Sequence, residues 1–398
     1  MPEPKRNVRL VPARTSDFSL SERWRAAAVM GLISSTYSTI ISHMTAGLLG
    51  RDALVDWMVV GSIALREHGL QATPTWWAVL MGLIVHQSAD FFWEVVFFFV
   101  LSRWSYRLGP WALMGVALPW AIFTSGIEWM FLVPVVPFWW PVFTLEQAWW
   151  LGILVHLTAA STYPLFPFVR DWVTGVRPSP HRRFARAWTG LGAAGVLTLG
   201  GLSLASQLGH DLPHAGGQEY DRTYMANMSA HYAQGMQLAE MAAERASDPQ
   251  LGAIARLMVA TQRSEIEIFR KWHRSWFGGE LPTLAPQDHV AMPGMISGQQ
   301  LDQLATLSGP AFDARFREIM RTHHSGAITM ADEALHMAGD PRLRIMAHGI
   351  RHQQQGEINL MHEVSGFEAV RRASRAMFFT DAAVPVQAAS ADGVPHQH

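Results

Sequence analysis

Histidine and methionine side chains are concentrated in the last part of this 398-residue chain. Of its 18 histidines and 20 methionines, 13 of each follow residue 208, and the chain has no cysteine. Imidazole and thioether groups together, without thiolates, favour copper over zinc or iron. The lack of cysteine also excludes disulfides, thiolate zinc sites and thiol nucleophiles. The composition therefore predicts copper binding after residue 208.

The spacing of these residues places them on shared helix faces. Met320, His323 or His324, and Met330 follow helical steps, and the same face continues to His336 and Met337. Methionines at such spacing often only fill a core. Two adjacent histidines on an apolar helix are harder to bury without partners, which favours metal ligation for His323 and His324.

A second stripe follows on the next helix. His348, His352, Gln355, Asn359 and His362 are separated by four, three, four and three residues. His348 and His352 are further candidate ligands, and a solvated helix face is the equal alternative.

An internal duplication explains this organisation. An offset of 92 residues pairs His231 with His323 without a gap. The other pairs include Asp221/Asp313, Met228/Met320, Gln262/Gln354 and Glu265/Glu357. Each copy predicts a helical hairpin, with helices near 220–245, 249–276, 311–338 and 342–366, so the two hairpins form an antiparallel four-helix bundle. Met228 and His231 facing Met320 and His323 across a pseudo-twofold axis would make a two-Met, two-His site suited to Cu(I).

The first half has the composition of a polytopic membrane domain. Five apolar segments are long enough to span a bilayer: 26–49, 75–101, 110–136, 147–168 and 185–207. The shorter segment 53–66 is interpreted as an interfacial or re-entrant helix. Basic residues in 1–25, after the second span and after the fourth place the amino terminus in the cytoplasm.

This topology divides the chain into five parts. Residues 1–25 are a cytoplasmic basic arm, 26–208 the membrane domain, 209–219 a linker, 220–370 the bundle and 371–398 a disordered tail that includes His396 and His398. The first span has no cleavable signal pattern and is retained. The chain is predicted to lie in a bacterial inner membrane, with the bundle in the periplasm.

Ionisable residues inside the predicted spans are costly and need a reason. His86, Asp90 and Glu94 share one face of the second span, while Glu128 and His156 lie in the third and fourth. His43 lies near the outer end of the first span. The functional interpretation is an intramembrane metal or proton site. The alternative is a hydrogen-bonded cluster that only fixes helix packing.

The bundle sequence resembles the DUF305 family of bacterial helical domains. The resemblance covers about 220–366 and depends on a pattern running from Met292-Pro293-Gly294-Met295 through Phe312-Asp313, Met320, His323-His324 and Gly326-Ala327 to Met330-Ala331. It implies a ferritin-like four-helix fold and copper ligation by Met292, Met295, Met320, His323, His324 and Met330, with Met228 and His231 matching more loosely. Tyr232, Arg256 and Ala260 depart from the second copy. The membrane half matches no family that we recognise.

Three functions compete on this sequence. The leading one is a membrane-anchored, extracytoplasmic copper-binding protein, not an enzyme, for sequestration, resistance or handover to a periplasmic chaperone or efflux partner. The second is a copper transporter whose intramembrane site is loaded by the bundle. The third, a di-iron oxidase, needs two Glu-x-x-His motifs, and only Glu333 and His336 fit. The net charge of -1 and the lack of a basic stripe argue against nucleic acid as a partner.

Overall fold

The computed structural model describes residues 18–135, 140–284 and 292–378, and every regular element in these ranges is a helix. The expected all-α class is therefore confirmed for the described chain. Most of the predicted basic arm, and the tail with His396 and His398, lie outside the described residues.

The first half contains four helical stretches, among the described residues, that are long and apolar enough to cross a membrane. They are Trp76–Val100, Pro110–Val135, Trp149–Val173 and Arg182–Gln207, and they match four of the five predicted spans. The helices are α1 (Leu20–Ala46), α2 (Ala53–Leu65), α3 (Trp76–Val95), α4 (Ser102–Ser105), α5 (Pro110–Ile127), α6 (Val133–Val135), α7 (Val142–Glu146), α8 (Trp149–Ala160), α9 (Phe166–Val173) and α10 (Arg182–Gln207).

The remaining predicted span, 26–49, corresponds to α1, which is not among these four. It has 27 residues, a length of about 40 Å, which would also cross a bilayer. One face carries Ser34, Ser35 and Ser38, all buried. Ser35 Oγ donates to Gln87 Oε1 at 2.7 Å, and Ser34 and Ser38 donate to Glu94 and Asp90. These serines make α1 less apolar, and they donate hydrogen bonds to the polar side chains of α3.

The second half is a four-helix bundle made of two hairpins, as the duplication predicts. Its long helices are α11 (Gln218–Arg245), α12 (Pro249–Phe277), α14 (Gly309–Met337) and α15 (Pro341–Met361). α11 packs on α12 and on α14, and α15 packs on α14 and on α12. Asp248 and Asp340 each cap the helix that begins with the following proline.

Two aspartates brace the hairpins against each other in a symmetric way. Asp221 of the first copy accepts from the backbone N–H groups of Gly339 and Asp340, at 2.8 and 2.9 Å. Its equivalent, Asp313, accepts from the N–H groups of Ser247 and Asp248, at 3.0 and 2.9 Å. Each copy therefore holds the interhelical turn of the other, as a pseudo-twofold arrangement requires.

Two shorter helices were not predicted. α13 (Gly298–Thr306) begins with a capping box between Ser297 and Gln300. α16 (Gly366–Phe378) follows α15, which ends five residues earlier than the sequence suggested. The assignment of 371–378 to a disordered tail was therefore wrong. Ala369, Ala373 and Met377 are buried on one face of α16, which gives this amphipathic segment a surface to fold against.

The bundle packs directly on the membrane domain. Gly356 of α15 lies against α7 so closely that a Cβ there would be 1.9 Å from the Leu145 carbonyl oxygen. Near the two ends of α2, Gly50 packs on Met346, and the Leu70 carbonyl accepts from Arg256 Nε at 2.9 Å. Both ends of α2 therefore face the bundle, as expected for a helix that does not cross the bilayer.

The basic loops meet at the opposite end of the spans. Arg170 donates to the Tyr106 carbonyl at 3.0 Å, and Arg23 lies 3.5 Å from Ser102 Oγ. The segments that the positive-inside rule placed in the cytoplasm are thus neighbours in the fold, at the end of the spans away from the bundle.

Buried carboxyl groups accumulate at the interface between the two domains. Glu146 of α7, Glu265 of α12 and Glu357 of α15 are each at most 8% exposed. Burial, reinforced by the nearby Glu357, raises the pKa of Glu265 from its usual 4.5 to about 8. Burial likewise raises the pKa of Glu146.

Replacing the Asp313 brace should destabilise the bundle. Asp313→Ala removes the acceptor of the part-buried hydrogen bonds from the N–H groups of Ser247 and Asp248, at a cost of about 1–2 kcal/mol. The melting temperature of the detergent-purified chain, followed by circular dichroism, should fall by several degrees. Asp302→Ala, at an exposed position of α13, is the control and should leave it unchanged. Equal melting temperatures for the two variants would contradict the bracing role.

The stability of the protein should also decrease with rising pH because of Glu265. The unfolded carboxyl ionises near pH 4.5, while the folded one stays protonated up to about 8. The contribution of Glu265 to the free energy of unfolding is therefore fully present below pH 4.5 and is lost as the pH rises from 4.5 to 8. Glu265→Gln should remove a loss on the order of 5 kcal/mol and flatten the pH profile of melting. Glu267→Gln, exposed on the same helix, is the matched control. A slope that persists in Glu265→Gln would show that another group causes it.

Candidate metal site

Two imidazole rings meet in the centre of the bundle. His231 of α11 and His323 of α14 stack with ring centroids 3.9 Å apart and an angle of 20° between their planes. Both residues are fully buried. They occupy equivalent positions of the two copies, so their contact lies where the pseudo-twofold axis passes through the bundle.

A small residue allows this approach. A Cβ at Gly235, one turn after His231, would lie 2.8 Å from His323 Nε2 and 2.6 Å from Gln262 Oε1. Gln262 is itself buried, and neither polar atom of its amide has a hydrogen-bond partner. Gly235 is therefore needed to admit both polar side chains to the core.

The hydrogen bonds leave several ring nitrogens free. His231 Nε2 lies 3.1 Å from the Pro293 carbonyl oxygen, which can only accept, so Nε2 carries the proton. His231 Nδ1 then presents a buried lone pair with no partner, and neither nitrogen of His323 has one. Such orphaned groups cost about 1–3 kcal/mol each, which is the condition that a bound metal ion would relieve.

Burial keeps both rings neutral. It lowers the pKa of His231 to about 4, because the imidazolium form loses its hydration. Burial, together with the neighbouring His231 and His324, lowers the pKa of His323 well below its usual value. Neutral imidazole is the form that binds metals.

Methionine sulfur lies on the same helix faces. Met228 and Met320 are fully buried and precede His231 and His323 by three residues, which is one helical turn. A further group packs in the same apolar cluster as Met228, and its members are Met292, Met295 and Met330. Four of the predicted thioethers thus share one apolar cluster, while Met320 packs in the neighbouring cluster.

The loop that carries Met292 and Met295 is held against the site. Gly326 of α14 lacks a side chain where the loop crosses it, since a Cβ there would lie 2.0 Å from the Pro293 carbonyl oxygen. Gln234 bonds both backbone groups of Ile296, at 2.7 and 2.8 Å. These contacts give the Gly326 and Pro293-Gly294 positions of the sequence pattern a physical role.

His324 points to a different neighbour from that of His323. Its Nε2 is 2.7 Å from Glu357 Oε2, although the angle is not that of a hydrogen bond, and both residues are fully buried. Gln353 and Gln354 donate to the same carboxyl group, at 3.4 and 3.2 Å. The sequence missed Glu357 and Gln262 as site residues, although the 92-residue offset had already paired both with their equivalents.

The remaining predicted ligands of the bundle lie elsewhere. His336 and Met337 are exposed at the end of α14. His348 accepts from Trp150 Nε1 at 3.3 Å, and His352 is buried 3.4 Å from the Thr144 carbonyl oxygen. The stripe on α15 therefore faces the membrane domain at these two histidines, and neither is solvated in the way the alternative supposed.

The predicted intramembrane residues form two pairs and two separate positions. His156 Nε2 lies 3.1 Å from Glu128 Oε2, and His86 Nε2 lies 3.6 Å from Asp90 Oδ2. Glu94 is bound by Ser34 and Tyr163, and His43 is exposed and accepts from Trp57 Nε1 at 3.3 Å. Among the residues that the structure describes, no three histidine or acidic side chains are grouped as a metal site.

Comparisons with known proteins address the bundle alone. No curated protein matches the chain. One similar solved structure, titled as CopM in the Cu(I)-bound form, has 29% identity, covers 37% of this chain and 95% of its own, and gives a TM-score of 0.31. Another, titled as a DUF305 fragment from Deinococcus radiodurans, has 25% identity, covers 38% and 97%, and gives a TM-score of 0.34.

The family comparison agrees with the resemblance drawn from the sequence. The matching model is described as "Domain of unknown function (DUF305)", and it spans residues 221–365. This range begins at Asp221, the first brace, and includes both histidines of the stacked pair. Residues 221–365 of this chain are therefore similar to the DUF305 family.

Proposed function

We propose that this chain is a membrane-anchored, extracytoplasmic copper-binding protein that holds Cu(I) between the two copies of its bundle. The observation that carries the proposal is the stacked pair of buried, neutral imidazoles with unpartnered nitrogens, His231 and His323. Met228 and Met320 supply thioether sulfur from the preceding turns. No cysteine competes for the metal anywhere in the sequence.

The donor set indicates which metal is bound. Imidazole suits copper, zinc and iron alike, whereas thioether sulfur selects Cu(I). The buried carboxyl of Glu357 faces His324, the residue next to the pair. The bond from His231 Nε2 to the Pro293 carbonyl is of the kind that orients histidine ligands in metal sites.

The membrane half supports an extracytoplasmic location of the bundle. Four apolar helices anchor it, and the basic loops gather at the end of the spans away from it. By the positive-inside rule the bundle lies outside the cytoplasm, in the periplasm of a bacterium with its chain in the inner membrane. Copper captured there is sequestered, or handed to a periplasmic chaperone or efflux partner.

Transport is the second candidate function, favoured by one observation. The bundle rests directly on the membrane domain, and His86, Asp90, Glu128 and His156 line one cavity inside that domain. Ionisable residues at this depth commonly mark ion pathways. Copper would then pass from the bundle into the spans.

Alanine at either stacked histidine should weaken copper binding. His231→Ala and His323→Ala should each lower Cu(I) affinity by more than the roughly 10- to 100-fold that loss of an outer partner costs. Competition titration of the purified full chain with a Cu(I) chelator measures this. His336→Ala, exposed on the same helix as His323, is the matched control and should bind as the native chain does. Unchanged Cu(I) affinity in a chain that carries both His231→Ala and His323→Ala would refute the site.

Transport can be separated from anchoring in proteoliposomes. If copper crosses the membrane domain, Glu128→Gln should reduce Cu(I) flux at least about tenfold, because it removes a charge at the cavity. Glu244→Gln, exposed on the bundle, should leave the flux unchanged. If the Cu(I) flux does not exceed that of empty liposomes, the membrane half serves only as an anchor.

A further inference from the structure

A cavity of about 190 Å³ lies within the membrane domain, between α1, α2, α3, α5 and α8. Much of its wall is apolar, from residues such as Ile41, Val85 and Leu151. The polar groups lie mainly at its two ends. We call it the membrane cavity.

The deep end holds the two intramembrane pairs. Glu128 faces His156, whose other ring nitrogen, Nδ1, lies 3.0 Å from Thr124 Oγ1. His86 Nε2 lies 3.1 Å from Ser38 Oγ and faces Asp90. Beside Glu128, the buried hydroxyl of Ser125 has no hydrogen-bond partner. Packing alone does not need two carboxyls facing one apolar space, since each is costly to bury in a bilayer.

The other end of the membrane cavity lies at the bundle and is closed by an ion pair. Arg51 Nε donates to Asp56 Oδ2 at 3.0 Å, and Gln147 Nε2 donates to Asp56 Oδ1 at 3.3 Å. These three residues also line a second cavity of about 30 Å³, in the interface between the domains. The Arg51–Asp56 pair therefore stands between the two cavities.

The charged groups that line the interface cavity are mainly carboxyl groups. It is lined by one basic residue, Arg51, and by four acidic ones, Asp52, Asp56, Glu146 and Glu265. Glu146 Oε1 and Glu265 Oε2 are buried and have no hydrogen-bond partner. A buried, unpaired carboxyl holds a proton or a cation, because the bare charge is too costly.

Polar groups continue from the interface cavity into the bundle. Gln353 lines the interface cavity and donates to Glu357 at 3.4 Å. Glu357 in turn lies 2.7 Å from His324, the residue next to the stacked pair. The bundle core, the interface cavity and the membrane cavity are thus linked by consecutive buried polar side chains.

We propose that the membrane cavity is a chamber for a small cation, entered from the bundle side, with the Arg51–Asp56 pair as its gate. The proposal deepens the second candidate function and rests on it for the nature of the cargo. Its test needs no copper, so the failure of the bundle site and the failure of the chamber give different results.

Since the chain has no cysteine, a single introduced thiol is the only target for thiol reagents. Ser125→Cys places that thiol at the deep end without breaking a hydrogen bond, and Ser42→Cys offers a second position in the same wall. The probes are a cationic and an anionic methanethiosulfonate, added to proteoliposomes that contain the full chain. Intact-mass spectrometry follows the extent of modification with time.

Thr306→Cys, exposed on the bundle, is the control. It reports the orientation of the chain in the liposomes and the ratio of the two reagents' rates at an open surface. The ratio of the cationic reagent's rate to the anionic reagent's rate at Ser125→Cys or Ser42→Cys should exceed the ratio at Thr306→Cys at least about tenfold. The reaction should come from the bundle side. Adding Asp56→Asn, which breaks the gate, should accelerate this reaction.

Three outcomes would overturn the proposal. They are equal rates for the two reagents at both cavity positions, reaction only from the side opposite the bundle, and no reaction at either position even with Asp56→Asn. Variants that purify with native melting temperatures are compared, so a folding defect cannot imitate any of these results.

Discussion

The fold of the bundle is organised around the cost of burying two imidazole rings. His231 and His323 lie in a cysteine-free core, stacked and without partners for three of their four nitrogens. Nothing else in an apolar core relieves such a cost except a hydrogen bond or a bound ion. The glycine at 235, the loop seated on Gly326 and the bond to the Pro293 carbonyl all serve to hold the rings in this position.

Where the two copies of the bundle differ, the difference follows from the membrane domain. Arg256 and His348 are equivalent in the duplication, and both lie at the domain interface: one bonds the Leu70 carbonyl, the other Trp150. Ala260 is the equivalent of His352, which lies near the Thr144 carbonyl. The departures at positions 256 and 260 therefore reflect docking on the membrane domain, whereas Tyr232 is buried in the bundle core. The stacked histidines, away from this surface, keep the symmetry.

The sequence predicted those parts of the structure that depend on periodicity. The hairpins, the apolar spans and the meeting of His231 with His323 follow from helical spacing and from the duplication. It did not predict which way the α15 stripe faces, because an imidazole-rich face is compatible with solvent, metal or another domain. The sequence did not predict α16 because its apolar face is short. The segment is a helix in the fold, where that face packs against the rest of the chain. The separation of Glu94 from Glu128 depends on Ser34 and Tyr163, which no local pattern connects to it.

X-ray absorption at the copper K edge of the full chain loaded with one equivalent of Cu(I) tests the central claim most directly. The account predicts both sulfur and imidazole nitrogen around the metal, with the imidazole contribution reduced in His323→Ala and retained in His336→Ala. A copper environment of nitrogen and oxygen alone, or one that His323→Ala leaves unchanged, would contradict a metal site between the two copies.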